Sequence, residues 1–420
     1  MHRFLLPAPP STGLRTTGLR TTGLRTTLAA AAALLLLPGC SVTQSNESSG
    51  DSADGAATGS STGTSARGGH VRVAAADDAC DLSTTRVPAG TVVFRVENTG
   101  DQVTEFYLLT AGGRRVVGEV EDIGPGLTRD LVAQVAPGNY VTACKPGMRG
   151  EGVRAGFTVT GSHTDGSIPG VDRATADAAA ARYARYVRKQ TDELLDRSRA
   201  FLGAWTAGRD AEARRLYPLA RAPWERIETV AESFGDLDPR TDAREADLAP
   251  GQRWTGWHRI EKDLWPPAGY QALSPAQRRE YAAALLADLR TLQRRVQDLD
   301  VTVSQIGNGA AGLLEEVATG KVTGEEEVWS HTDLADFQAN LDGAQLAYET
   351  LKPLLVVKDA ALSRTIGRRF ADLQDLLDRY RRGAGFVSYD TVGPQQRRQL
   401  SDAVNALAEP LAQMTAAITL

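Results

Sequence analysis

The sequence predicts two folded regions of opposite kind, an N-terminal all-β sandwich followed by an all-α helical bundle. Three observations carry this. The apolar pattern alternates with a period of two between Val71 and Val159, and it changes to a period near 3.6 after a Gly- and Pro-containing link at 161–171. The 420 residues also exceed what one hydrophobic core normally holds. Hydrophobic residues at 42% and charged residues at 24% match a globular protein, which excludes wholesale disorder and a polytopic membrane protein.

Residues 1–39 read as an export signal. Arg3, Arg15, Arg20 and Arg25 precede an apolar run from Leu28 to Leu37 that is too short to remain as a membrane span. The run ends in Leu37-Pro38-Gly39-Cys40, which resembles a bacterial lipobox and implies that Cys40 takes up lipid after cleavage. The expected location is therefore the outer face of the cell membrane or the periplasm, with the membrane reached through a lipid anchor. Between residues 41 and 69, eighteen of twenty-nine positions are Ser, Thr or Gly, so 40–69 reads as a lipidated cysteine and a flexible tether with a reach on the order of 30 Å. The signal contains no acid, which leaves 43 basic against 52 acidic residues beyond it. An acidic body predicts no nucleic-acid partner and offers carboxylates to cations.

Within 70–161, the stretches 91–97, 105–109, 115–120, 139–143 and 156–160 read as short strands between turns marked by Pro88-Ala89-Gly90, Asn98-Thr99-Gly100, Gly124-Pro125-Gly126 and Pro137-Gly138-Asn139. This spacing predicts a small antiparallel sandwich of about 90 residues. His70 is read as a linker residue at its edge.

Within 172–420, Tyr183, Val187, Gln190, Leu194, Phe201 and Trp205 form one helical stripe with Gly208 as a stop. Ser274-Pro275 is an N-cap and N1 pair followed by Leu285, Leu289, Leu292, Val296 and Leu299, and the run from Leu362 to Tyr380 repeats the scheme. Long amphipathic helices with short polar loops predict a bundle.

Of five histidines only His258 and His331 belong to the bundle. His258 and Glu261 are three apart, a spacing that stacks an imidazole and a carboxylate on one helical face, close enough to chelate a cation. Pro223 reads as a helix opening, with Glu225, Glu228 and Glu232 behind it along one stripe and Asp236, Asp238 and Asp242 downstream. A third acidic run, Glu325-Glu326-Glu327, precedes His331 and Asp333. Each cluster alone reads as a helix terminus or a solvated loop; together they supply the imidazole and oxygen donors suited to iron.

Four segments, PWERIETVAESFGDLDPRTDARE at 223–245, GWHRIE at 256–261, TGEEE at 323–327 and SHTDLADFQAN at 330–340, resemble the signatures of the imelysin-like domain with its His-x-x-Glu motif, as found in EfeO-type iron-uptake proteins. Those proteins join a cupredoxin-like sandwich to an imelysin-like helical domain, the order expected here. The resemblance implies a metal site built from His258, Glu261, Glu225, Glu228 and Asp242 with acidic partners from the run Glu325, Glu326 and Glu327, and iron as the ion. It also implies two partners, an iron permease of the same uptake system and a dye-decolourising haem peroxidase.

Cys80 and Cys144 are the only thiols after Cys40. In an exported chain, two cysteines most often form a disulfide. A second reading takes Cys144 and Met148, four residues apart, as a thiolate and thioether pair resembling the ligand loop of cupredoxins, where soft sulfur selects copper. Glu105 stands where a cupredoxin has imidazole, and similarity to EfeO-type proteins makes Cys80, Glu105, Cys144 and Met148 candidate ligands. The sandwich is thus a candidate copper or iron-oxidising module. No His-Glu-x-x-His is present, and neither folded region carries a Gly-x-Ser-x-Gly elbow. The expected function is iron capture for an uptake permease, without enzymatic chemistry in the bundle; the alternatives are an imelysin-like metallopeptidase and a copper electron-transfer module.

Overall fold

The computed structural model describes residues 68–162, 168–248 and 251–420. The expected signal, Cys40, the tether up to residue 67, His2 and His163 lie outside them, while Gly68 and Gly69 open the first strand. Nine strands come first: β1 Gly68–Ala75, β2 Cys80–Leu82, β3 Arg86–Pro88, β4 Gly90–Asn98, β5 Thr104–Thr110, β6 Val116–Ile123, β7 Thr128–Val135, β8 Gly138–Cys144 and β9 Val153–Thr160. They form two sheets, ordered β2-β1-β4-β7 and β3-β9-β8-β5-β6.

The sandwich is mixed rather than purely antiparallel, because β1 runs parallel to β4 and β3 parallel to β9. The chain crosses between sheets after β2 and again after β3, so β4 returns beside β1 in the same direction. Alternation in β4 points Val92, Phe94 and Val96 inward, where Phe94 meets Phe106 and Phe157 at ring-centroid distances of 5.3 Å. His70 lies on β1 opposite Val93, within the sheet rather than in a linker.

Eleven helices follow among the described residues: α1 Arg173–Thr206, α2 Asp210–Glu225, α3 Glu228–Glu232, α4 Asp238–Thr241, α5 Trp257–Leu264, α6 Pro275–Arg295, α7 Val303–Thr319, α8 Asp333–Lys358, α9 Ala360–Asp378, α10 Pro394–Ala412 and α11 Met414–Thr419, with a two-stranded ribbon, β10 Arg381–Arg382 and β11 Gly385–Phe386, between α9 and α10. Asp172 caps α1 through Thr175 N at 2.9 Å, and Gly208 (φ 72°) follows its end. Ser274 and Gln277 close a capping box on α6, and Thr302 and Gln305 do the same on α7. None of the helices among the described residues is long and apolar enough to cross a membrane.

Pro223 lies near the end of α2 rather than opening a helix. Proline there frees the carbonyl of Leu219, and Arg197 from α1 donates to that oxygen at 2.9 Å. The helix breaks after Glu225, and Glu228 begins the separate α3, so Glu225 and Glu228 reach the interior from two elements and not from one stripe.

Strand β7 faces α7. Its backbone hydrogen bonds on that edge go to side chains: Gln134 N donates to Ser304 Oγ at 2.9 Å, and Asn308 Nδ2 donates to Val132 O at 2.9 Å. An Arg129–Glu315 ion pair continues the seam. This pairing covers a sheet edge that would otherwise stand open, and it holds the sandwich against the bundle.

Candidate metal centre

Helix α5 starts on Gly256, whose backbone (φ 92°, ψ −162°) is a conformation open almost only to glycine. It projects His258 and Glu261 inward, and both are completely buried. His258 Nδ1 lies 3.1 Å from Glu261 Oε2, and Glu261 Oε1 accepts from the Trp329 and Ser330 amides at 3.0 and 2.7 Å. Glu261 is thereby fixed on one side of the ring. On the other side, Nε2 sits 3.3 Å from both Asp242 Oδ1 and Glu326 Oε1 yet makes no well-formed hydrogen bond.

Arg221, entirely buried on α2, ties the acids together. Its guanidinium bonds Asp242 and Glu225, reaches Glu326 at 3.1 Å and Glu327 at 2.9 Å, and faces Asp336 at 3.5 Å. Trp224 Nε1 donates to Asp242 at 2.6 Å, and Tyr217 OH donates to Glu327 at 3.0 Å. Lys321, between α7 and the glutamate run, donates to Glu225 and Glu228 at 2.6 and 2.7 Å. Asn340 of α8 donates to the same two carboxylates.

Of the residues expected from sequence, His258, Glu261, Glu225, Glu228, Asp242 and Glu326 come together. Three overlapping groups have ligand atoms within 4.8 Å of one another: Asp242, His258 and Glu326; His258, Glu261 and Glu327; and Glu225, Glu228, Asp242 and Glu326. Glu325 is exposed on the cleft wall and absent from these groups, while Glu326 and Glu327 turn inward. Asp236 is taken by Arg295 at 2.8 Å, and His331 is absent from these groups. Arg221, Lys321, Asp336 and Asn340 were missed as partners. Arg221 had a signal, its i,i+4 spacing to Glu225; Asp336 and Asn340 stood inside the quoted 330–340 segment.

The sulfur ligands of the sandwich are corrected as well. Cys80 of one sheet and Cys144 of the other form a disulfide (Cα–Cα 5.6 Å), so neither is a thiolate, and Met148 is 45% exposed on the loop beyond. Glu105 is buried, accepting from Tyr107 OH at 2.9 Å with Lys145 Nζ at 3.7 Å. It is joined through Tyr107 to Glu121 at 2.8 Å. Glu119 and Glu121 line a cleft of about 1010 Å³ between sandwich and bundle, whose other wall includes Glu228, Asp238, Asp242 and Glu326.

Burial and mutual repulsion set the charge states. Burial, reinforced by neighbouring acids, pushes Glu228, Glu327 and Asp336 well above the usual carboxylate range, Asp238 and Glu121 up to about 7, and Asp333 to about 6. Burial acts the same way on Asp242, but Arg221 and His258 overcome it and hold that carboxyl below its usual range. Lys321 and His258 likewise hold Glu326 at about 2 against the effect of burial. For His258, burial and Arg221 oppose the imidazolium, while Asp242, Glu261 and Glu326 outweigh them and keep it protonated well above the ordinary histidine range.

A buried imidazole among carboxylates at the foot of an acidic cleft, carried on a helical domain behind a β sandwich, defines a two-domain protein with a candidate cation cage. Residues 179–414 match the imelysin family model, and residues 53–159 match that of the cupredoxin-like domain. The chain is 43% identical over 251 residues to an Efem/EfeO family lipoprotein of Staphylococcus haemolyticus (strain JCSC1435), covering 59% of this chain and 86% of that protein. It is 35% identical over 350 residues to the iron uptake system component EfeO of Escherichia coli (strain K12), covering 82% of this chain and 90% of that protein. The Shigella flexneri protein of the same name matches equally. The chain belongs to the imelysin family and is of the EfeO type.

Proposed function

We propose that this protein captures iron outside the cytoplasmic membrane and passes it to a permease of the same uptake system. His258 Nε2, Asp242 and Glu326 would take the ion, with Glu261 orienting the ring from Nδ1. The observation that carries this reading is the His258 Nε2 atom itself, buried, without a good hydrogen bond and 3.3 Å from two carboxylates that are themselves held by Arg221. Such a nitrogen, backed by a carboxylate on its other face, is the arrangement found around metal-ligating histidines. The cleft would lead the ion in past Asp238, and protonation of imidazole and carboxylates would favour release. The EfeO-named relatives support iron as the cargo. The lipobox-like segment and the lipoprotein relative support a lipid anchor.

Crystals soaked in iron, with anomalous scattering collected at the iron edge, test the assignment. A peak within bonding distance of His258 Nε2 is expected, and a peak elsewhere removes it. Metal-dependent cleavage of a peptide library, lost in His258→Ala, would replace capture with the metallopeptidase reading.

A further inference from the structure

The cage contains two overlapping sets of ligand atoms that share Asp242 and Glu326. One adds His258; the other adds Glu225 and Glu228. The two sets differ in what already fills them. The first presents a ring nitrogen that makes no well-formed hydrogen bond. The second holds the ammonium of Lys321, 2.6 Å from Glu225 Oε2 and 2.7 Å from Glu228 Oε2, on a side chain only 5% exposed.

We propose that Lys321 is a tethered cation occupying the second of two cation positions, and that it thereby limits the bundle to one bound metal ion. The inference rests on the capture reading above and extends it. An ammonium is a compact unit charge with donors and no acceptor, so among carboxylates it takes the place a metal ion would take. It differs from a free ion in being anchored. Lys321 begins a single helical turn after Gly320, so its head group cannot leave with solvent. Asn340 Nδ2 contacts the same two oxygens at 3.3 and 3.0 Å and keeps them facing the ammonium.

Arg221 cannot play this part, because its planar guanidinium spans both sets and braces them, reaching Asp242, Glu225 and Glu326 at once. A cage of this many acids without Lys321 would offer Glu225, Glu228, Asp242 and Glu326 to a second ion. With it, the second ion meets a fixed positive charge, and a single ion stays bound to a site from which it can still be surrendered. Two ions bridged by shared carboxylates would hold each other in place and suit storage better than transfer.

The test is metal stoichiometry in the full-length protein. Lys321→Met keeps side-chain length and removes the charge. Wild type and variant are loaded anaerobically with ferrous iron, desalted and assayed for bound metal, and crystals of each are examined by anomalous scattering. About one ion per chain is expected for the wild type and about two for Lys321→Met, the new peak lying between Glu225 and Glu228. The charge-balanced pair Lys321→Met with Glu228→Gln is expected to return to about one. A single ion in Lys321→Met, or two in the wild type, overturns the proposal. So does a Lys321→Met protein that fails to fold even in excess metal, since the ammonium is then a structural counter-ion that no metal replaces. A wild type with one ion that survives His258→Ala overturns the capture reading instead.

Discussion

Gly256 and Thr241 meet backbone to backbone: a β-carbon on Gly256 would stand 2.1 Å from the Thr241 carbonyl oxygen. Thr241 immediately precedes Asp242, and Gly256 stands two residues before His258, so this contact sets the distance between an acid and an imidazole that are sixteen positions apart in the chain. Gly256→Ala is expected to lower stability by about 1–3 kcal/mol from backbone strain alone. Iron affinity should fall at least tenfold, because Asp242 must retreat from His258. Denaturant unfolding and iron titration of the variant check both outcomes.

His258→Ala is expected to abolish specific iron binding. Glu261→Gln should weaken affinity by about 10–100-fold with stoichiometry unchanged, the behaviour of a residue that orients a ligand. Equilibrium dialysis of the two variants distinguishes the roles; equal losses would make Glu261 a direct ligand.

Iron binding should release protons and weaken as pH falls. The metal-free His258 carries a proton that the metal must displace, because the surrounding acids hold that ring well above the ordinary histidine range. Calorimetry in two buffers of different ionisation enthalpy would reveal the release. A heat independent of buffer would contradict it.

Stability of the metal-free protein should follow pH in the opposite sense to most acidic proteins. Glu121 and Asp238 are raised to about 7 and Asp333 to about 6, so the folded state binds protons more tightly than the unfolded chain. Their contribution is complete below the ordinary carboxylate range and is lost as pH rises through 6 to 7. Glu326, held at about 2, and Asp242 act the other way, losing theirs only below the ordinary range. The melting temperature should therefore decline between pH 5 and 8, and Glu121→Gln should flatten the slope.

The Cys80–Cys144 bridge closes a loop across 64 positions. Replacing both cysteines by serine is expected to cost roughly 4 kcal/mol of stability. Bound iron per chain should not change. Ferrous binding that disappears with the bridge would return the sulfurs to the metal site.

The legible parts of this molecule are those where one face of an element meets the core. Strand β4 and helix α1 showed their periods because residues that meet solvent, such as Arg95 and Glu97 in β4, alternate with buried ones. Strand β7 did not, since Leu131, Val132 and Ala133 are all buried, with the strand closed on one edge by β4 and approached by α7 on the other. The His258 and Glu261 pair could be read because a helix converts spacing into position. The glutamate run could not, because a loop has no period to say which of three neighbours turns inward. Arg221 and Lys321 were invisible for a further reason: a basic residue normally marks a solvated face, and only carboxylates arriving from elsewhere in the chain make burying one tolerable.

Closing Cys80 onto Cys144 also decides which metals the sandwich can hold. Monovalent copper seeks thiolate sulfur, and among the described residues the bridge leaves it none; of the thioethers there, Met414 is buried in the bundle and Met148 stands at the surface. With both sulfurs oxidised, the donor groups that could hold a metal among the described residues are oxygen and imidazole alone.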